Sequence, residues 1–460
     1  MRTAEDKQTV MQAFERLTLR ETLSYSLGDV GINLYWAPVT AFLMMYLTDV
    51  VGLRMADVGL LMVVVRLVGA FAEPLMAAVV DRTHTNYGRY RVWFLFLAVP
   101  MAAVGVLTFA TSGTPDNSKL FVTYVCMITF NLIYTAITVP YNALSGVITP
   151  DSRQREILMS VRFGISFLSA VFLTWITPKV GAFIGVKDMA LSWQFAMTVY
   201  GVIAFAIFIN LFLNTRERFS SDATPNANPL QDIRDLFGNR TWIALFVLGF
   251  IVMIGFTVHT AATPYFIKYY AGRPDMQTGF AMLFMVGLAV GSSLTSTLTK
   301  LISHRQVIAC TLMGAALTSL GLYFTPASQL WLIEALQIGC GVSLGLVSTL
   351  TFAMYGDIAD ENAWRTGHRA TAMTYSVITF AKKIGTAISA AVIAWAFSSP
   401  GYTANAHASP ALLDNIRLMM GLAPALFFLA GAAVIVCYDL SAERFHSLPG
   451  LFGRRVSRLP

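Results

Sequence analysis

MVVVRLVGAFAEPLMAAVVDRTHTNYGRYRVW, residues 62–93, is the stretch that decides the fold. It begins as an apolar span carrying Arg66 and Glu73 in its interior. It then breaks at Asp81 into a short, Arg-rich turn, and a second apolar segment starts at Val92. Arg66, Gly69 and Glu73 stand at i, i+3 and i+7, on one helical face. Charges inside a membrane span are costly, so they face a cavity or a partner and mark functional positions. The pattern implies a polytopic membrane protein organised around a polar site near mid-bilayer.

Composition agrees with that picture. The 460 residues are 56% hydrophobic and 12% charged, with mean hydropathy +0.62, whereas soluble chains carry about 25% charged residues. The net charge of +7 sits in short runs at span ends and carries topology, not nucleic-acid binding. Cys126, Cys310, Cys340 and Cys437 lie in apolar stretches with neither metal nor disulfide spacing. The polar N-terminal segment has no apolar core of a cleavable signal, so the first span is expected to direct insertion. There is no Walker A loop, GxSxG elbow, HExxH or paired CxxC. The expectation is a protein that is not an enzyme and has no cofactor, structural metal or nucleic-acid partner. A membrane receptor or sensor is the rival of a different class, and it is expected less because no attached signalling domain is read among these residues.

Twelve spans are expected, each able to cross a hydrocarbon core about 30 Å thick. They run approximately over 22–50, 57–80, 92–112, 120–148, 157–182, 190–214, 241–270, 277–299, 306–325, 330–357, 371–398 and 411–438. Twenty-one of the 32 Lys and Arg fall on the side of the termini, seven on the other, and four within spans. Both termini are therefore expected in the cytoplasm. The organisation expected is a tail over 1–21, a six-helix bundle over 22–214, a linker over 215–240, a second bundle over 241–440, and a tail over 441–460. LQDIRDLFGNR in the linker is expected as an amphipathic interfacial helix. Tyr141 precedes Arg155 by fourteen residues and Tyr355 precedes Arg369 by fourteen, an echo that two parallel six-span repeats would leave.

Glu73 is the one acid the sequence places deep inside a span. Burial disfavours an ionised carboxyl and a nearby cation favours it, a competition that can poise a proton carrier. Asn131, Thr135, Thr138 and Asn142 form a polar stripe at i, i+4, i+7 and i+11, suited to hydrogen-bonding a polyhydroxylated ligand; back-bonding within the helix is the alternative. Pro140 is expected to loosen this helix. Arg162, and one of Lys382 and Lys383, are placed to face the centre, since neighbouring residues point about 100° apart. His259 fits either packing or a ligand contact. Tyr25, Tyr35, Trp36 and Tyr265 are placed to stack on a sugar ring or to anchor at the interface.

Several motifs resemble the glycoside–pentoside–hexuronide:cation symporters, a branch of the major facilitator superfamily. They are SYSLGDVGINL at 24–34, YLTDVVGL at 46–53, residues 66–93, YTAITVPYNALSGVITPDSRQRE at 134–156 and ADENAWRTGHRATAMTYSVITFAKK at 359–383. The resemblance implies an all-α major facilitator fold of two six-helix bundles rocking about a central site. It implies uptake of a sugar or glycoside driven by a cation, in a bacterial cytoplasmic membrane. Carried over, Glu73 falls on a cation-site acid, Thr135 on a hydroxyl ligand of the cation, Lys383 on a lysine near that site, and Arg162 on an arginine close to the sugar. Arg66 joins the cation-coupling set. Asn33, Tyr35, Trp36, Thr138, Asn142, Arg162, His259 and Tyr265 are the expected sugar-binding set. A second cation-site carboxylate is Gly69 here, the two sugar-binding aspartates are Asn33 and Thr138, and a ring-supporting tryptophan is Asn142.

With one carboxylate, H⁺ coupling through Glu73 is expected over Na⁺. Arg66, Arg162 and Lys383 give three central cations against one acid, which points to an acidic glycoside; a neutral sugar with Na⁺, or a lysophospholipid-like amphiphile, are the alternatives. Asp81, Arg82, Arg153, Arg155, Asp357, Asp360 and Arg369 are expected to pair across the bundles as gates. Membrane lipid is the expected surrounding and a monomer the expected state.

Overall fold

The computed structural model describes residues 16–183, 188–218, 229–366, 370–398 and 409–437, and these contain helices and no strand. In chain order the helices are α1 (Leu19–Met45), α2 (Met55–Arg82), α3 (Val92–Thr108), α4 (Lys119–Val147), α5 (Ser152–Phe183), α6 (Met189–Asn214) and α7 (Pro229–Phe237). They continue as α8 (Arg240–Tyr265), α9 (Gln277–Leu298), α10 (His304–Phe324), α11 (Leu330–Thr366), α12 (Thr371–Ser398), α13 (Pro410–Arg417) and α14 (Ala423–Cys437). Among the described residues nine segments are long and apolar enough to cross a membrane, and the first helix, bent by 46°, makes a tenth. The other two expected spans coincide with α3, a shorter apolar helix, and with α12, which carries Lys382 and Lys383. The helix expected within the linker is α7. Pro140 leaves α4 continuous.

Two compact units make up the chain. Unit 1 comprises Met1–Asp232 with His368–Val377, and unit 2 comprises Ile233–Gly367 with Ile378–Pro460. The change after Asp232 lies inside the segment read as a linker. The first turns of α12 group with unit 1, which the span pattern did not foretell.

The helices sort their residues by face. On α2, Leu60, Val63, Leu67, Phe71, Leu75 and Val79 form an exposed apolar stripe. Val58, Leu61, Val65, Ala70, Ala77 and Val80 form a buried one, and Glu73 lies among them. A helix apolar on both faces belongs in lipid. In unit 1, Thr18 caps α1 through a capping box with Glu21, satisfying N–H groups that would otherwise lack acceptors. In unit 2, Gly287 and Gly291 of α9 meet Gly341 and Gly345 of α11 so closely that a methyl on any of them would press on the other helix's backbone. Small residues allow this approach, and dispersion contacts hold helices together where lipid removes the hydrophobic drive.

Candidate functional site

In unit 1, three helices turn polar stripes toward one another. α1 contributes Tyr25, Asp29 and Asn33 at steps of four, α4 contributes Asn142, and α5 contributes Arg162, Ser166 and Ser169. Arg162 Nε donates to Asp29 Oδ2 at 2.8 Å and its Nη2 to Asp29 Oδ1 at 3.1 Å, a bidentate pair. Nη2 also donates to Asn142 Oδ1 at 2.8 Å, and Nη1 to the Tyr25 hydroxyl at 3.1 Å. The guanidinium lies 4.4 Å from the Tyr141 ring centroid. Tyr25 and Tyr141 stack at 4.8 Å, and each hydroxyl donates to the other residue's carbonyl. Asn33 Nδ2 donates to the Ser166 carbonyl and the Ser169 hydroxyl, both at 2.9 Å. The result is a polar face whose side chains are held in place by one another.

Asp29 adds a second buried acid to Glu73, which the sequence placed alone deep inside a span. It is buried inside α1, and it neutralises Arg162. The expected three-to-one excess of cations therefore loses one member. The missed signal was the run Tyr25, Asp29, Asn33 at four-residue spacing inside SYSLGDVGINL.

The second cluster lies on α2 and α4. Asn131 Nδ2 donates to the Val65 carbonyl at 3.1 Å. A Cβ built on Gly69 would come 2.9 Å from Asn131 Cγ, inside van der Waals contact. Glycine at 69 thus leaves room for Asn131 where it stands, and any larger side chain there would require Asn131 to move. One turn beyond Gly69 is Glu73, and one turn beyond Asn131 is Thr135, both buried. The Thr135 hydroxyl has no hydrogen-bond partner among the described residues. Arg66 shares the inner face of α2 with Glu73 by helical periodicity, yet it is exposed.

The remaining expected sugar-binding residues divide. Trp36 is 45% exposed, with one indole face on Tyr134 at 5.2 Å. Tyr35 is buried, and its hydroxyl lacks a partner among the described residues. Thr138 back-bonds to the Thr135 carbonyl at 3.4 Å. In unit 2, His259 is buried with Nδ1 3.2 Å from the Met420 carbonyl and Nε2 3.0 Å from Gln337 Oε1. Both ring nitrogens are engaged, so packing claims the residue and the expected ligand contact does not fit this geometry. Tyr265 stacks on Tyr269. Lys383 is half-buried on α12. Lys382 stands 4.9 Å from the Phe352 ring centroid and 5.4 Å from that of Tyr355.

At the other end of unit 1, Asp81 accepts the Tyr90 hydroxyl at 3.0 Å and the backbone N–H groups of Ala372 and Met373 at 3.1 and 2.9 Å. Glu217 takes three successive backbone N–H groups, of Arg89, Tyr90 and Arg91, at 2.8–2.9 Å. Gly88, at φ +106°, turns the loop around that carboxylate. Arg218 grips Glu21 with two 2.8 Å bonds. None of Glu217, Arg218 or Glu21 was singled out from sequence. Arg82 bonds the Ala78 carbonyl of its own helix, Arg153 pairs with Glu156, and buried Arg155 reaches the Thr149 carbonyl. Asp357 is buried and Asp360 half-buried in unit 2; Arg369 lies outside the described residues.

Comparison with known proteins completes the picture. Residues 24–442 match the family model described as MFS/sugar transport protein. A putative glycoside/cation symporter of Escherichia coli (strain K12) is 29% identical over 434 residues, 94% of each chain. The isoprimeverose transporter of Lactiplantibacillus pentosus is 29% identical over 431 residues, 91% of this chain and 88% of that one. A crystal structure of the major facilitator transporter FucP in the outward conformation matches at TM-score 0.65 and 14% identity, over 91% of this chain and 98% of that one.

Proposed function

The chain belongs to the MFS/sugar transport protein family, and from that premise we propose that it takes up a sugar or glycoside in symport with a proton, by alternating access. The observation that carries the choice of ion is the α2–α4 cluster. Gly69 yields its space to Asn131, which leaves Glu73 as the carboxylate of that cluster. One carboxyl suffices to carry one proton, whereas dehydrating Na⁺ calls for several oxygen ligands with negative charge among them. Na⁺ is the second candidate because the buried Thr135 hydroxyl is open to a ligand. Arg66, on the same face, is assigned to the control of Glu73's charge, and Lys383 to the same coupling role.

On this proposal the sugar is recognised through Asn33, Asn142 and Arg162, whose orientations are held by Ser166, Ser169 and Asp29. Trp36 offers an exposed aromatic face for stacking. The membrane is the bacterial cytoplasmic one, with both termini cytoplasmic by the distribution of Lys and Arg. The test is uptake into proteoliposomes under separately imposed gradients. A proton gradient without Na⁺ is expected to drive glycoside accumulation. Accumulation that follows a Na⁺ gradient at constant pH and ignores the proton gradient would reverse the choice of ion.

A further inference from the structure

The two units carry the same three-residue arrangement and differ in one partner. In unit 1, Gly28 is the tenth residue of α1, and a Cβ on it would come 2.5 Å from the Tyr141 ring. In unit 2, Gly249 is the tenth residue of α8, and a Cβ on it would stand 3.4 Å from the Tyr355 hydroxyl. Each tyrosine sits on the fourth span of its half. Each carries over its ring a cation from the fifth, Arg162 at 4.4 Å in unit 1 and Lys382 at 5.4 Å in unit 2.

The residue after the glycine separates the two. In unit 1 it is Asp29, which neutralises Arg162 through two hydrogen bonds. In unit 2 it is Phe250. The Lys382 ammonium has the faces of Phe352 and Tyr355 beside it and makes neither a hydrogen bond nor an ion pair among the described residues. A cation–π contact offsets only part of the cost of withdrawing an ammonium from water. Unit 1 brings its own counter-ion to this place; unit 2, among the described residues, sets no acid beside its half-buried lysine.

We propose that Lys382 is a specificity-determining residue whose ammonium receives a carboxylate carried by the transported glycoside. The proposal rests on the glycoside function above and deepens it to substrates bearing an acidic group. The carboxylate would take the role toward Lys382 that Asp29 takes toward Arg162. The flanking rings would orient the ammonium without neutralising it.

The test is competition for exchange in proteoliposomes holding the full chain, with 4-nitrophenyl glucuronide against 4-nitrophenyl glucoside. A charge-assisted contact is roughly twice as strong as a neutral one, so the wild type is expected to prefer the glucuronide by at least about tenfold. Lys382→Arg keeps the preference and Lys382→Gln removes it. Phe250→Asp, which leaves the lysine in place and installs the missing counter-ion, also removes it; that variant keeps the test decisive should Lys382→Gln fail to fold. A wild type that prefers the glucoside, or a preference unchanged in both Lys382→Gln and Phe250→Asp, overturns the role of Lys382 while leaving the glycoside function intact. Exchange of neither compound, nor of any glycoside, overturns both.

Discussion

Replacing Asp29 with asparagine keeps the side chain's size and removes the charge that neutralises Arg162. The two side chains are 8% and 5% exposed, and both hydrogen bonds of the bidentate pair lie within 3.1 Å. Removing one partner of a buried pair costs about 3–5 kcal/mol, because the other charge stays buried and uncompensated. Asparagine retains one acceptor oxygen, so the lower end, about 3 kcal/mol, is expected. In a unit of this size that lowers the melting temperature on the order of 10 °C. The assay is thermal unfolding of the purified protein in detergent, followed by tryptophan fluorescence, with glycoside exchange measured in parallel. The companion is Asp29→Leu combined with Arg162→Met, which removes both charges of the pair and is expected to recover most of the lost stability while abolishing exchange. Asp29→Asn within about 1 kcal/mol of wild type, or a double variant no more stable than the single, would refute the assignment of Asp29 as the internal counter-ion.

Gly69→Val is expected to reduce the folded yield by driving a side chain into Asn131, and adding Asn131→Ala should restore it, read by size-exclusion profile and melting temperature. Glu217→Ala leaves three N–H donors of the 89–91 turn without their acceptor; a loss of roughly 1–3 kcal/mol is expected, with faster limited proteolysis in that turn. His259→Phe should lower the melting temperature, since both ring nitrogens bond within unit 2, and should leave the pH profile of exchange unmoved; a displaced profile would give the imidazole a role in proton transfer.

The fold class was legible because membrane spans announce themselves in composition and run length. Glu73 was legible for the same reason, as a charge in the middle of an apolar run. Asp29 stood in equally plain view but near the start of its span, and its meaning depends on Arg162, 133 residues away. Pairing over that distance is a property of packing, which no local spacing encodes. Gly69 could be recognised as a departure from the family's pattern, while its neighbour on α4, Asn131, required coordinates. Neighbouring Lys382 and Lys383 could not be told apart by periodicity beyond one facing inward; the rings of Phe352 and Tyr355 around Lys382 distinguish them. Glu217 was invisible because its partners are backbone N–H groups, which every residue but proline possesses.

Proton coupling through one buried carboxyl is tested most directly with Glu73→Gln in proteoliposomes, comparing glycoside accumulation under an imposed proton gradient with exchange at equal pH on both sides. The account predicts that accumulation disappears while exchange persists at a rate comparable to wild type, because the amide carries no proton and the proposed sugar-binding face on α1, α4 and α5 is untouched. Gradient-driven accumulation that survives in Glu73→Gln would contradict it.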